Sequence, residues 1–377
     1  MLSFLRTSKA VASRWPATPM HVVLGNEACD ADSVVSALCL ARMCDAAAPG
    51  AGFVPVLSCP RKEFHLRCET VYLLNQVGIT AEDCVFLDDV ELAASPEAVQ
   101  VTLVDHNEMR SSLAALGPSV VRIVDHHKDT GAHPHVAGDA RTISFDLAAN
   151  RGVGSTCTLI GREALAVGGD VLDATMATLL AGVILLDTVN LDPAFGKVTP
   201  DDEEVAGALL KTLDNPGLGE SLFKELNAQK FSPAFWGSLS PFEACTVDYK
   251  QFEAGVVVFG VSSVLLPLAA FLGDDPAAAM ADMAKFCEEK ALQHFMVMSA
   301  VQKEGALVRQ LLCFSPAVHG GAAGDALLDD IPAAVSPLEV RELPTPSPAM
   351  KLFDQGKSAA SRKQLVPLVV DCLAART

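Results

Sequence analysis

Three short apolar runs, rich in β-branched residues, each lead into acids. Residues 20–25 run to Asp30 and Asp32, residues 99–104 to Asp105, and residues 120–124 to Asp125-His126-His127. Each run has the length and side chains of a buried strand, and helical stretches alternate with them. That alternation predicts an α/β domain with a mostly parallel sheet, and open parallel sheets take their ligands at the carboxyl ends of the strands. The acids are therefore expected along one sheet edge. Further strands are expected at residues 53–57, 84–87 and 142–145, and helices at 2–12, 34–44 and 173–186, with another opening at Ser155 or Thr156. The helix over 173–186 delivers a fourth acid, Asp187.

Four carboxylates on one edge repel one another unless they are paired or hold cations. Asp30, Asp32, Asp105, Asp187 and His126 form a mixed oxygen and nitrogen donor set of the kind two neighbouring divalent ions require. Such a set favours Mg²⁺ or Mn²⁺, with Co²⁺ also accommodated, and two such ions acidify a shared water for attack on phosphorus. Each acid taken singly is equally an N-cap or turn former. Their recurrence at element ends within one domain carries the metal reading.

The formal net charge of −18 argues against nonspecific binding to nucleic acid or to an anionic membrane. An anionic substrate therefore needs local cations or metal ions. No uncharged apolar run is long enough to span a bilayer, and no obligate protein partner is evident. The eleven cysteines form no C-x-x-C pair, which points to free thiols in a reducing compartment such as the cytoplasm. Arg6, Lys9 and Arg14, with no acid before Glu27, are also compatible with a mitochondrial transit segment.

A linker is expected at 214–219, dividing a domain over residues 1–213 from a smaller α/β domain over 220–377. The second domain is expected to hold strands at 255–261, 294–301 and 306–314, a helix at 276–289 and an edge strand at 335–341. Its candidate functional groups are cationic: Lys250, Arg362 and Lys363. Arg61 and Arg67 are further cationic candidates in the first domain.

Asn26-x-x-x-Asp30-x-Asp32, Asp105, Asp125-His126-His127 and Asp187 resemble, in order, the four motifs of the DHH phosphoesterase superfamily. The second domain, with Asp248-Tyr249-Lys250 and Ser361-Arg362-Lys363-Gln364, resembles that of the branch containing family II pyrophosphatases, eukaryotic exopolyphosphatases and prune proteins. Gly25-Asn26-Glu27 is similar to the exopolyphosphatase and prune pattern, whereas family II pyrophosphatases carry His at the position of Asn26. Animal prune proteins tend to have Arg in place of the second His; here His127 is intact.

The resemblance implies two divalent metals. Asp30 and Asp105 would hold one; Asp32, Asp105, His126 and Asp187 the other, with Asp105 bridging and Asn26 a neutral residue at a metal position. His127 would contact the scissile phosphate or protonate its leaving oxygen, and Asp125 would orient His126. Lys250, Arg362, Lys363 and Arg61 would grip phosphate oxygens, with the second domain closing over a cleft. The implied activity is release of terminal orthophosphate from inorganic polyphosphate by attack of a metal-activated water. The alternatives are a pyrophosphatase or short-chain polyphosphatase, a cyclic-nucleotide phosphodiesterase, or a prune-like interaction protein.

Overall fold

In a computed structural model of the chain, residues 1–145, 152–215, 217–303, 306–322 and 325–374 are described. The apolar runs of the first half become six strands: β1 (Met20–Leu24), β2 (Phe53–Leu57), β3 (Val85–Phe86), β4 (Val99–Val104), β5 (Val120–Asp125) and β6 (Arg141–Ile143). They form one parallel sheet in the order β3-β2-β1-β4-β5-β6. Side chains alternate between its faces, as the two-residue period of a strand demands. Met20, Val22 and Leu24 join Val54, Val56, Val101, Leu103 and Ile123 on one side. Val23, Leu57, Val104 and Val124 join the helices on the other.

Those helices are α1 (Leu2–Ala12), α2 (Ala31–Ala47), α3 (Cys68–Gln76), α4 (Thr156–Val167), α5 (Ala174–Asp187), α6 (Pro200–Thr212) and α7 (Leu218–Lys230). Short polar residues start several of them. Asp30 caps α2 by accepting from Ser33 N, Ser155 caps α4 at Cys157 N, and Asp173 caps α5 at Met176 N. The N-terminal basic segment is the expected helix, α1, with Phe4, Leu5 and Val11 buried.

The chain divides into two compact units, Met1–Lys230 and Phe231–Thr377. The residues expected as a linker, 214–219, join α6 to α7, ahead of the division between the compact units; Pro216 itself lies outside the described residues. The amphipathic α7 buries Leu222 and Leu226 in the first core, which draws the division to the end of that helix.

The second unit opens with α8 (Pro233–Ser238) and α9 (Pro241–Val247) and contains β7 (Tyr249–Ala254), β8 (Val257–Val264), β9 (His294–Lys303), β10 (Ala306–Phe314), β11 (Val340–Leu343) and β12 (Met350–Gln355). Their order is β11-β12-β10-β9-β8-β7, with β8 and β9 parallel and the other neighbours antiparallel. Its remaining helices are α10 (Leu268–Leu272), α11 (Pro276–Glu289), α12 (Pro316–His319), α13 (Ala326–Ala334) and α14 (Arg362–Ala374). The edge strand expected at 335–341 begins only at Val340, because Val335 ends α13 and a 3-10 turn, Ser336–Leu338, follows. Two elements carried no clear signal: α13 contains Pro332, which argues against a helix, and β12 mixes Lys351 and Asp354 into an inner strand.

Candidate metal centre

From β1 the chain passes through α2 to β2 and β3 on one side, then returns to β4 on the other side of β1. The strand order thus reverses between β1 and β4, where a parallel sheet opens a crevice at its carboxyl edge. Asn26, Asp30 and Asp32 leave β1 there, Asp105 leaves β4, and the DHH triplet straddles the end of β5.

Gly25 makes the first turn possible. A Cβ at this position would lie 2.7 Å from the Ser33 Cβ and 3.0 Å from its carbonyl oxygen. With none present, Ser33 packs against the turn, accepts from Asn26 N at 3.0 Å and donates to Asp105 Oδ2 at 2.8 Å. Asp105 is 2% exposed and has a left-handed backbone, with φ of 62°. A non-glycine residue adopts that conformation at an energetic cost, so the surrounding bonds must hold it there. Asn26 Nδ2 donates to Asp105 Oδ2 at 2.6 Å, and Thr156 Oγ1 donates to Oδ1 at 3.3 Å.

His126 donates from Nδ1 to the Val153 carbonyl at 3.2 Å, which in the neutral ring leaves the lone pair on Nε2. That nitrogen lies 3.4 Å from Asp105 Oδ1 and 3.7 Å from Asp32 Oδ2. Three electron-pair donors converging in this way fit a cation between them. Asp105, His126 and His127 each present one ligand atom, all within 4.8 Å of one another.

Asp32 lies in the first turn of α2, where the N terminus of α4 meets it: Ser155 Oγ and Cys157 N donate to Oδ1, and Thr156 N donates to Oδ2. Burial nonetheless pushes its carboxyl up to about 7, with the Asp105 charge adding to the rise and His126 opposing it. Asp187, the last residue of α5, is likewise pushed up to about 7, first by burial and then by the Asp32 charge, against the pull of Lys230. Two neighbouring carboxyls that resist ionisation, Asp32 beside Asp105 and Asp187 beside Asp32, mark a site short of positive charge. The donor set therefore fits divalent metal ions.

His127 stands apart in its bonding. Its Nδ1 lies 2.9 Å from Asp125 Oδ1 and 3.5 Å from Asp105 Oδ1. Asp125, expected to orient His126, bonds the His126 amide and grips the His127 ring. Burial raises the Asp125 carboxyl, but the His127 hydrogen bond and charge and the Asn107 hydrogen bond outweigh it and hold it well below the usual carboxylate range. Asp125 is therefore ionised and accepts, so Nδ1 of His127 donates to it.

Other expected residues have different tasks. Asn26 uses both polar ends: Oδ1 accepts from Ala28 N at 2.9 Å while Nδ2 steadies Asp105. The Arg61 guanidinium donates to the carbonyls of Ala81 and Cys84 and to Asp89, and lies 4.5 Å from the centre of the Phe86 ring. These contacts tie Arg61 into the first unit. We expect Arg61→Ala to lower stability by about 1–3 kcal/mol in a denaturant titration while leaving KM unchanged. A large rise in KM would return Arg61 to the site. Arg67 is 3% exposed and braces the Ala28 carbonyl from Nε at 3.0 Å.

In the second unit, Arg362 begins α14 and turns onto Asp248, with Nη2 2.7 Å from its Oδ1 and Nη1 3.3 Å from the Val261 carbonyl. Lys250 pairs with Val261 across β7 and β8, and Lys363 follows Arg362 in α14. Ser33, Asn107, Ser155 and Thr156 were not anticipated as site residues. Ser33 and Asn107 stand close in sequence to Asp32 and Asp105, but a hydroxyl or amide carries no ligand signal until the fold shows what it touches.

Acids and imidazoles converging at the switch point of a parallel sheet define an α/β protein built around a divalent-metal centre. The chain belongs to the DHH family: the model "DHH family, N-terminal domain" matches residues 21–218, and "DHHA2 domain" matches 224–372. It is 31% identical over 363 residues to "Exopolyphosphatase PRUNE1" of Mus musculus, covering 95% of this chain and 76% of that protein. It is 30% identical over 361 residues to "Putative exopolyphosphatase" of Schizosaccharomyces pombe, covering 93% and 90%. A "Manganese-dependent inorganic pyrophosphatase" of Methanocaldococcus jannaschii is 27% identical over 253 residues, 65% of this chain and 71% of that protein. Among solved structures, a putative family II inorganic pyrophosphatase of Methanococcus jannaschii shares the fold with a TM-score of 0.62 at 19% identity, covering 94% of this chain and 99% of that one.

Proposed function

We propose that this chain is a metal-dependent exopolyphosphatase that releases terminal orthophosphate from inorganic polyphosphate. The observation that carries the reading is the convergence of Asp105, His126 and His127 with buried Asp32 at the carboxyl edge of the sheet. Relatives named as exopolyphosphatases along nearly the whole chain support it. Asp30, Asp32, Asp105, His126 and Asp187 would hold two divalent ions, Mg²⁺ or Mn²⁺. Such ions, when bound, supply positive charge against phosphate oxygens and acidify water. Asp125 holds Nδ1 of His127, so Nε2 is the nitrogen that would meet the substrate and protonate the leaving phosphate oxygen. Lys250, Arg362 and Lys363 are the proposed phosphate-gripping cations. A chain of net charge −18 needs local cations of this kind to take a polyanion.

Pyrophosphate is the competing substrate, favoured by the relatives named as pyrophosphatases. Phosphate release from long polyphosphate, triphosphate, pyrophosphate and cyclic AMP, measured side by side with Mg²⁺, Mn²⁺ and Co²⁺, decides between them. We expect metal-dependent release from polyphosphate. Turnover confined to pyrophosphate, or no turnover of any of the four, would sink the reading. Eleven free thiols support a reducing compartment, and we propose the cytoplasm. Among the described residues, no helix is long and apolar enough to cross a membrane.

A further inference from the structure

We propose that Asn107 is a positioning residue: its side-chain amide fixes the Asp125 carboxylate, and through it the His127 ring, so that Nε2 of His127 is presented to substrate. The inference rests on the hydrolase reading above only for its kinetic consequences.

Asn107 lies two residues beyond Asp105 on the loop that leaves β4, and it is 3% exposed. A side-chain amide can donate twice and accept twice, and here all four capacities are used. Nδ2 donates to Asp125 Oδ2 at 2.6 Å and to the Lys128 carbonyl at 3.0 Å. Oδ1 accepts from Thr130 N and from Thr130 Oγ1, both at 2.9 Å. A backbone N–H can only donate, so the Thr130 contact fixes which end of the amide is oxygen. The NH₂ group therefore faces Asp125.

Asp125 is fully buried, and its other oxygen is also occupied. Oδ1 accepts from His126 N at 2.8 Å, from His127 N at 3.1 Å and from His127 Nδ1 at 2.9 Å. The carboxylate is thus held at both oxygens, by the triplet backbone on one side and Asn107 on the other. With Asn107 gone, Oδ2 loses this donor and the carboxylate is held at Oδ1 alone. The acceptor that sets the plane and tautomer of the His127 ring is then less firmly fixed. Partners that orient an active imidazole typically contribute about 10- to 100-fold.

The competing explanation is that Asn107 only anchors the loop over 128–130. Two variants separate these roles. Asn107→Asp keeps the size and the acceptor for Thr130 but sets a carboxylate oxygen against Asp125 Oδ2. Thr130→Val removes the hydroxyl contact and leaves the link to Asp125 in place. We expect Asn107→Asp to lower kcat on polyphosphate by about 10- to 100-fold with KM changed by less than about threefold. It should also abolish the downfield proton resonance of the His127 Nδ1–H in the Mg²⁺-loaded protein. Thr130→Val should keep both the turnover and the resonance. In a His127→Ala background, Asn107→Asp should cause no further loss.

Wild-type kcat and an intact resonance in Asn107→Asp would overturn the proposal. So would an equal loss in Thr130→Val, or a full additional loss in the His127→Ala background. Asn107→Ala provides the same comparisons if Asn107→Asp does not fold. Absence of wild-type turnover on every phosphate compound would overturn the hydrolase reading alone, and the resonance would then decide the role of Asn107 by itself.

Discussion

Asp105→Asn lowers metal-dependent phosphate release by about 10³-fold or more while leaving the fold intact; the size follows from losing several kcal/mol of metal-borne stabilisation. The substitution is selective because of how the two carboxylate oxygens are used. Oδ2 faces two donors, Asn26 Nδ2 and Ser33 Oγ, so the single oxygen of an asparagine settles there. Its NH₂ group then takes the place of Oδ1, the oxygen nearest His126 Nε2 and His127 Nδ1. A donor has replaced a ligand atom at the centre of the cluster. The backbone tolerates the change, since asparagine is among the few residues that accept a φ near the 62° found here. Asp105→Ala would confound the loss of the carboxylate with backbone strain. The measurements are phosphate release at saturating Mg²⁺ and a far-UV circular dichroism melt on the same preparation. Near-normal release would refute the placement of the metals on Asp105.

The metal-free chain becomes less stable as pH rises from about 5 to 8, and added Mg²⁺ or Mn²⁺ stabilises it more at the upper end. The sign follows from Asp32 and Asp187. Both are held up to about 7 in the folded chain, chiefly by burial and then by neighbouring carboxylates. In the unfolded chain they ionise near their ordinary value of about 3.9. Between those values the folded state binds more protons, so stability present at low pH is lost progressively until pH passes about 7. A drop in melting temperature on the order of 10 °C is expected for a loss of several kcal/mol. Asp125 does not contribute in this window, because its carboxyl is held low and titrates only in strong acid. Cations that take the place of the protons remove the fall. Asp32→Asn should flatten the metal-free curve. A melting temperature that holds steady or rises between pH 5 and 8 in the absence of metal would contradict the electrostatics assigned to the site.

Much of the first unit was legible because its strands are short, apolar and followed by charged residues. Burial on both faces of a parallel sheet forces the former, and ligand chemistry at the strand ends places the latter. β1, β2, β4 and β5 fall where the apolar runs predict, and Ser155 caps α4. The second unit was harder. Lys351 and Asp354 interrupt the apolar pattern of β12 although it is an inner strand, and Pro332 disguises α13. The compact units divide after α7, further along than the linker-like composition of 214–219 suggests, because the burial of Leu222 and Leu226 is decided by what they meet in space.

The sequence by itself put Asp105 and the DHH triplet at the ends of β4 and β5, because burial and strand period restrict where charged residues can fall. It could not say how each donor is braced, since that depends on contacts between residues far apart in the chain. Asn26 braces Asp105, Arg61 turns away to Asp89 and the carbonyls of Ala81 and Cys84, and Asn107 reaches Asp125 across eighteen positions. Hydrogen bonds act over about 3 Å, and only the tertiary fold brings such pairs within that range.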